Sequence, residues 1–165
     1  MTYLGSNKLK LSQHIFTTTD NQSKSTASSI VSLNSTIYTQ HNYFNYTPTV
    51  STSNNRITLP PGKYYLEAAL SVARNVSGTW YIEYNWKSYD TNSASYTDIG
   101  HEGRENGFPN SGNPYKNQIA IAYIEDTNNI ELSVWSLGSS SYVINQTTYL
   151  PNYGGKSRLA VWKLE

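Results

Sequence analysis

The densest group of side chains able to do chemistry is Gly100-His101-Glu102-Gly103-Arg104-Glu105-Asn106. An adjacent His and Glu suit proton transfer, or a metal ion if further ligands lie at the right spacing. No His-Glu-x-x-His continuation follows, and the other histidines, His14 and His41, are far off in sequence. The segment is expected to be a solvated loop with local ion pairs. Glycoside hydrolysis needs two carboxylates flanking one bond. Glu67 and Glu83 fall on the polar faces of successive strands and could face each other, but Lys63 and Lys87 nearby make a charge ladder the simpler reading. Asp90, Asp98 and Asp126 lack calcium-loop spacing, and there is neither a Gly-x-Ser-x-Gly elbow nor a glycine-rich phosphate loop. The sequence predicts a protein that is not an enzyme, with no catalytic residue, no cofactor and no metal site. Tyr65, Tyr81 and Tyr89 on outward strand faces, with Tyr115 in the long segment after Gly100, leave three uses open. They could stack on a glycan, contact a protein neighbour, or pair across strands.

The elements that must carry these residues are constrained by composition. A chain of 165 residues fits one domain and buries roughly 70% of its unfolded surface, enough to fold without disulfides or metal. It has no cysteine, which removes thiolate chemistry altogether. A net charge of +1 with 14% charged residues gives no electrostatic case for nucleic acid or an anionic membrane surface. Tyr contributes 15 residues, so the exterior is built from Ser, Thr and Asn with aromatic rings at the edges of packed regions. No segment approaches the ~20 apolar residues that span a bilayer, and Met1 to Phe16 lacks a secretory pattern, so a non-secreted protein is expected.

Strand and turn signals alternate along the sequence from Ile30 onward. Strands are predicted over 30–39, 41–46, 56–59, 63–73, 79–89, 95–99, 117–125, 129–137, 141–145 and 157–164. Turn formers separate them, at Thr47-Pro48, Pro60-Pro61-Gly62, Ser77-Gly78 and Gly138-Ser139 among others. The stretch Ile57–Leu70 reads as a hairpin, with Pro60 and Pro61 pre-setting the backbone and Gly62 permitting the turn. Gly100–Pro114 is expected to be a long loop. The fold class is therefore all-β, an antiparallel jelly-roll β-sandwich of about 8–10 strands covering residues 30–165. Residues 1–29 show neither a helical nor a sustained strand period and read as an extended N-terminal arm or a disordered terminus. Tyr3, Leu4, Leu9, Leu11, Ile15 and Phe16 are its candidate anchors for docking on a neighbouring subunit.

Two strands are apolar on both sides. In 157–164, Ala160, Trp162 and Leu164 oppose Leu159 and Val161; in 117–125, Ile119, Ile121 and Tyr123 oppose Ala120, Ala122 and Ile124. A strand apolar on both faces needs a second cover, either the protein's own loops or another subunit. On the subunit reading, Leu159, Val161, Ile119, Ile121 and Tyr123 are the candidate oligomer-interface residues.

Several short pieces carry a resemblance. "ITLPPGKYYLEAAL" (Ile57–Leu70) resembles a Leu-Pro-x-Gly-x-Tyr-x-x-Glu-Ala strand–turn–strand of bacteriophage virion surface proteins. Those proteins carry a trimeric jelly roll shaped like the complement and tumour-necrosis-factor heads. "NIELSVWS" (Asn129–Ser136), the terminal "SRLAVWKLE" (Ser157–Glu165) and the opening "MTYLG" are similar to pieces of the same set. The resemblance implies a homotrimer on the outer surface of a phage particle, with the two-sided C-terminal strand near the three-fold axis. It implies a capsid decoration (cement) protein bound to the major capsid protein. Its alternative is the glycan-binding head of a tail fibre, bound to a tail component. Pro61 and the long segment at Gly100–Pro114 depart from the pattern.

Overall fold

The computed structural model describes residues 11–24, 28–73, 80–107, 115–126, 128–138, 142–144 and 157–164. They form β1 (Ser12–Thr18), β2 (Gln22–Lys24), β3 (Ser29–Ile30), β4 (Leu33–Asn42), β5 (Thr49–Ser51), β6 (Arg56–Leu59), β7 (Gly62–Ala69) and β8 (Val72–Ala73). There follow β9 (Trp80–Asp90), β10 (Ser95–Gly107), β11 (Tyr115–Gln118), β12 (Ala120–Asp126), β13 (Ile130–Gly138), β14 (Tyr142–Ile144) and β15 (Arg158–Lys163). Every recorded pairing is antiparallel. A continuous path runs β4-β1-β15-β7-β12-β10-β9-β13-β6-β5, with β11 on β10 and β3 on β13; β2-β14-β8 make a small separate sheet. The path doubles back on itself as a jelly-roll sandwich, with β4-β1-β15-β7-β12 as the first layer and β10-β9-β13-β6-β5 as the second.

The turn between the layers is made within β10. His101 pairs with Ile121 of β12, while the residues on either side pair with β9, with a register shift between Ile99 and Gly103. Gly100 adopts φ +75°, and a Cβ there would lie 2.1 Å from the Ile121 carbonyl oxygen. A Cβ at Gly103 would meet the Tyr84 ring at 2.4 Å. Both positions need glycine, one for its backbone angle and both for space. The expected loop from Gly100 is thus strand as far as Gly107, because a glycine bulge lets the ladder bend without breaking.

The inward faces follow strand alternation. Tyr64, Leu66 and Ala68 of β7, Ala120 and Ala122 of β12, and Phe16 of β1 are buried in one core with Ile82, Tyr84 and Trp86 of β9, Leu132 and Val134 of β13, and Ile57 and Leu59 of β6. Leu159 and Val161 also belong to this core and are wholly buried, which corrects their expected place on an outer face. The cause is register. Leu159 is opposite Ala68 and Val161 opposite Leu66, and directly opposed residues share a side of the sheet. Bulk at Trp162 suggests the reverse parity, but Trp162 is opposite Tyr65 and points outward.

A second correction concerns the N-terminus. Residues 12–18 are not an arm: β1 lies inside the first layer between β15 and β4. Phe16 is in the core, while Ile15 alternates to the outer side. The period-2 pattern is hidden in the sequence because the inward positions are Ser12, His14, Phe16 and Thr18, three of them polar. Ser12 and His14 are hydrogen-bonded on that side, Ser12 to Asn42 at 3.3 Å and His14 to Thr39 at 3.1 Å. Leu11, just before the strand, is half-buried, and Tyr3, Leu4 and Leu9 lie outside the described residues.

The Pro60-Pro61 turn is a third. β6 pairs with β13 and β5, and β7 with β15 and β12, so the two strands are not a hairpin but belong to different layers. Two successive prolines lack the N–H groups a ladder needs and suit a crossing of this kind. The Tyr64 hydroxyl fixes it by donating to the Pro60 carbonyl at 2.6 Å.

Candidate functional site

The middle of the first layer's outer face is largely apolar and aromatic, while the Lys63–Glu125 pair, 3.3 Å apart, and Arg158 lie toward its ends. Across it, Tyr38, Ile15, Ala160, Glu67, Ile121 and His101 are successive register partners from β4 to β10. The adjacent row runs Gln40, Gln13, Trp162, Tyr65 and Tyr123. Tyr38 and Tyr123 are each 56% exposed and Ile119 is 42% exposed, well above the usual burial of such side chains. Tyr65 and Trp162 stack obliquely with centroids 5.4 Å apart. The Tyr65 hydroxyl donates to Glu67 Oε1 at 3.2 Å, and partial burial together with the Glu67 charge pushes the phenol pKa upward. Glu67 is the carboxylate in the middle of these two rows.

The outer face of the second layer is built differently. The Arg56 guanidinium lies 3.2 Å from the centroid of Tyr89, bonds the Tyr96 hydroxyl at 3.1 Å and pairs with Glu131 at 2.9 Å. Tyr89, Tyr96 and Trp135 form a ladder across β9, β10 and β13, with centroid spacings of 4.8 and 5.1 Å. Lys87 Nζ sits 5.3 Å from the Trp135 centroid and 2.6 Å from Asp98, whose carboxyl it holds below the usual carboxylate range. Arg104 lies 3.7 Å from Glu83 and 4.7 Å from the Tyr81 ring. At the β10 corner an open cleft of about 470 Å³ is lined by Glu83, Gly100, His101, Glu102, Arg104 and Gln118. A smaller depression of about 130 Å³ lies beside it, lined by Asn85, Lys87, Asp98 and Trp135 among others, and it shares Glu83 and Glu102 with the cleft.

The expected residues are thereby sorted. Ile119, Ile121 and Tyr123 are on the outer face of the first layer, whereas Leu159 and Val161 are in the core. Tyr65 shares the first outer face, while Tyr81 and Tyr89 are on the second. The backbone of Tyr115 pairs with Asn106, and its side chain lies outside the described part. Glu67 and Glu83 are on outer faces of opposite layers and do not face each other, so they cannot flank one bond. The residues that sequence reasoning missed are Tyr38, Ala160 and Trp162 on the first face, and Arg56, Tyr96 and Trp135 on the second. Alternation within each strand marks them as outward only once the strand's parity is known. Among the described residues no group of three metal-ligating side chains comes together, and no helix is long and apolar enough to cross a membrane.

The chain matches no family model and no curated protein. Among solved structures it is similar to the Eiger TNF from S. frugiperda, at 12% identity and a TM-score of 0.57, over 93% of this chain and 92% of that one. The fold is the TNF-like jelly roll. At this identity the likeness speaks for the fold alone, and function has to be argued from the two outer faces.

Proposed function

We propose that the protein is a non-enzymatic structural component of a phage particle surface, a homotrimer whose subunits meet through the outer face of the first layer. The observation that carries the oligomer is the contrast between the two outer faces. One displays Tyr38, Ile15, Trp162, Ile121 and Tyr123 around Glu67, with charge at its two ends, in the Lys63–Glu125 pair and Arg158; the other carries Arg56, Lys87, Arg104 and their acidic partners across its middle. An aromatic face of several strands is too large to be left in water without cost, and a second and third copy are its natural cover. The sequence pieces set out above supply the phage setting and the number three. Capsid decoration is the primary reading, because a domain of low net charge that presents a largely apolar face can stabilise a shell by buried area and multivalent contact.

The test begins with the molar mass of the purified protein by light scattering and sedimentation equilibrium, for which a stable monomer at micromolar concentration rules the reading out. Deleting residues 1–10, which leaves β1 intact, then separates fold from docking. A truncated trimer that no longer co-sediments with capsids supports decoration through the N-terminus, and undiminished binding removes the N-terminus from the docking mechanism. The second reading, a tail-fibre head that contacts host glycan, draws on the Tyr89–Tyr96–Trp135 ladder. It expects binding to host cells instead of capsids.

A further inference from the structure

We infer that the cleft at the β10 corner, together with the depression it joins, is a binding groove for a neutral saccharide. The inference deepens the second reading above and does not depend on the trimer. The two hollows share Glu83 and Glu102 and hold about 470 and 130 Å³, room for one to two sugar rings.

A pyranose presents hydroxyls that both donate and accept, and flat patches of C–H that prefer an aromatic surface. The groove supplies both. Glu83, Glu102 and Asp98 accept, Asn85 and Gln118 do both, and Lys87 and Arg104 donate. Trp135 lines the smaller hollow at the end of the Tyr89–Tyr96 ladder. Its Nε1 is shielded from solvent and finds no hydrogen-bond partner among the described residues. The side chains that would meet the sugar are already held. Lys87 is fixed to Asp98 at 2.6 Å, and the carbon backbone behind the cleft is set by Gly100 and Gly103. Such preorganisation lowers the entropic cost of binding.

Charge decides against other ligands. Three carboxylates face two cations, which opposes a phosphate backbone or an anionic headgroup.

The experiment is saturation-transfer NMR on the full chain. The probes are the methyl glycosides of glucose, galactose, mannose and N-acetylglucosamine, and the disaccharides lactose and maltose. The expected result is transfer to ring protons of at least one probe, accompanied by a change in tryptophan fluorescence. Asn85→Ala, at a half-buried position, and Glu102→Gln, at an exposed one, should each weaken that binding about tenfold, and Trp135→Phe should remove the fluorescence change. Variants that keep their molar mass and melting temperature isolate the groove from the fold and from assembly. No transfer from any probe at millimolar concentration overturns the inference while leaving the trimer and capsid readings intact. So does binding that survives all three substitutions, since the sugar would then sit elsewhere.

Discussion

His14 lies wholly within the core, its Nδ1 3.1 Å from the Thr39 hydroxyl and its ring 4.6 Å from that of Tyr46. Its Nε2 is buried without a partner among the described residues. Burial disfavours the imidazolium and lowers the pKa below 6.5, so the unfolded chain takes up a proton more readily than the folded one. The sign follows from linkage: stability is level above pH 6.5 and falls as pH drops through 6.5 toward the depressed folded value. Urea midpoints measured from pH 8 to pH 5 should decline over that window, and His14→Gln should flatten the decline. An unchanged slope in the variant would show that the carboxylates alone set it. Residue-scale chemistry elsewhere is local: Asp98 and Glu131 answer cations on neighbouring strands, and such half-buried surface pairs contribute on the order of 1 kcal/mol or less each.

At the scale of elements, the β10 corner and strand β15 carry the clearest expectations. Gly100→Ala forces a left-handed residue against the Ile121 carbonyl. It should cost about 1–3 kcal/mol from the backbone angle, with more from the clash, seen as a lower thermal midpoint. Leu159→Ala removes a fully buried side chain and should cost about 2–5 kcal/mol in equilibrium denaturation. Had Leu159 faced a partner subunit, as strand-by-strand reading suggests, the change would weaken assembly and spare the fold. These two elements also mark how far the sequence could be read. Alternation in β7 and β9 is clean because their inward positions are nearly all apolar, and their faces are legible residue by residue. In β1 the inward positions are mostly polar, and Ser12 and His14 bond Asn42 and Thr39, partners about 25 to 30 residues away, so nothing local reveals the strand. In β15 both sides are apolar, and only its register with β7 settles the parity. Of the candidate surfaces, Ile121 and Tyr123 were legible from two-sided apolarity. The Arg56–Tyr89–Tyr96–Trp135 row was not, because it is assembled from four strands spread over about half the chain.

For the whole molecule, the apolar outer face makes a prediction about assembly that is independent of any particle. Ile121 and Tyr123 point away from the core, so replacing both with Lys leaves the packing beneath, at Ala120 and Ala122, untouched. If this face joins three copies, six added positive charges meet where apolar side chains were matched, and burial of unpaired charge is strongly unfavourable. The dissociation constant should rise by at least about a hundredfold, or ~2.7 kcal/mol, enough to leave a monomer at micromolar concentration. Far-UV circular dichroism should keep its strand signal. Tyr81→Lys on the opposite face, where Arg104 already lies against the ring, should leave the molar mass unchanged. Assembly also stabilises by mass action, so the melting temperature of the parent chain should climb with protein concentration while that of the double variant stays flat. A parent whose melting temperature is independent of concentration, with a mass unaltered by both lysines, would show that the face is covered by something other than this chain.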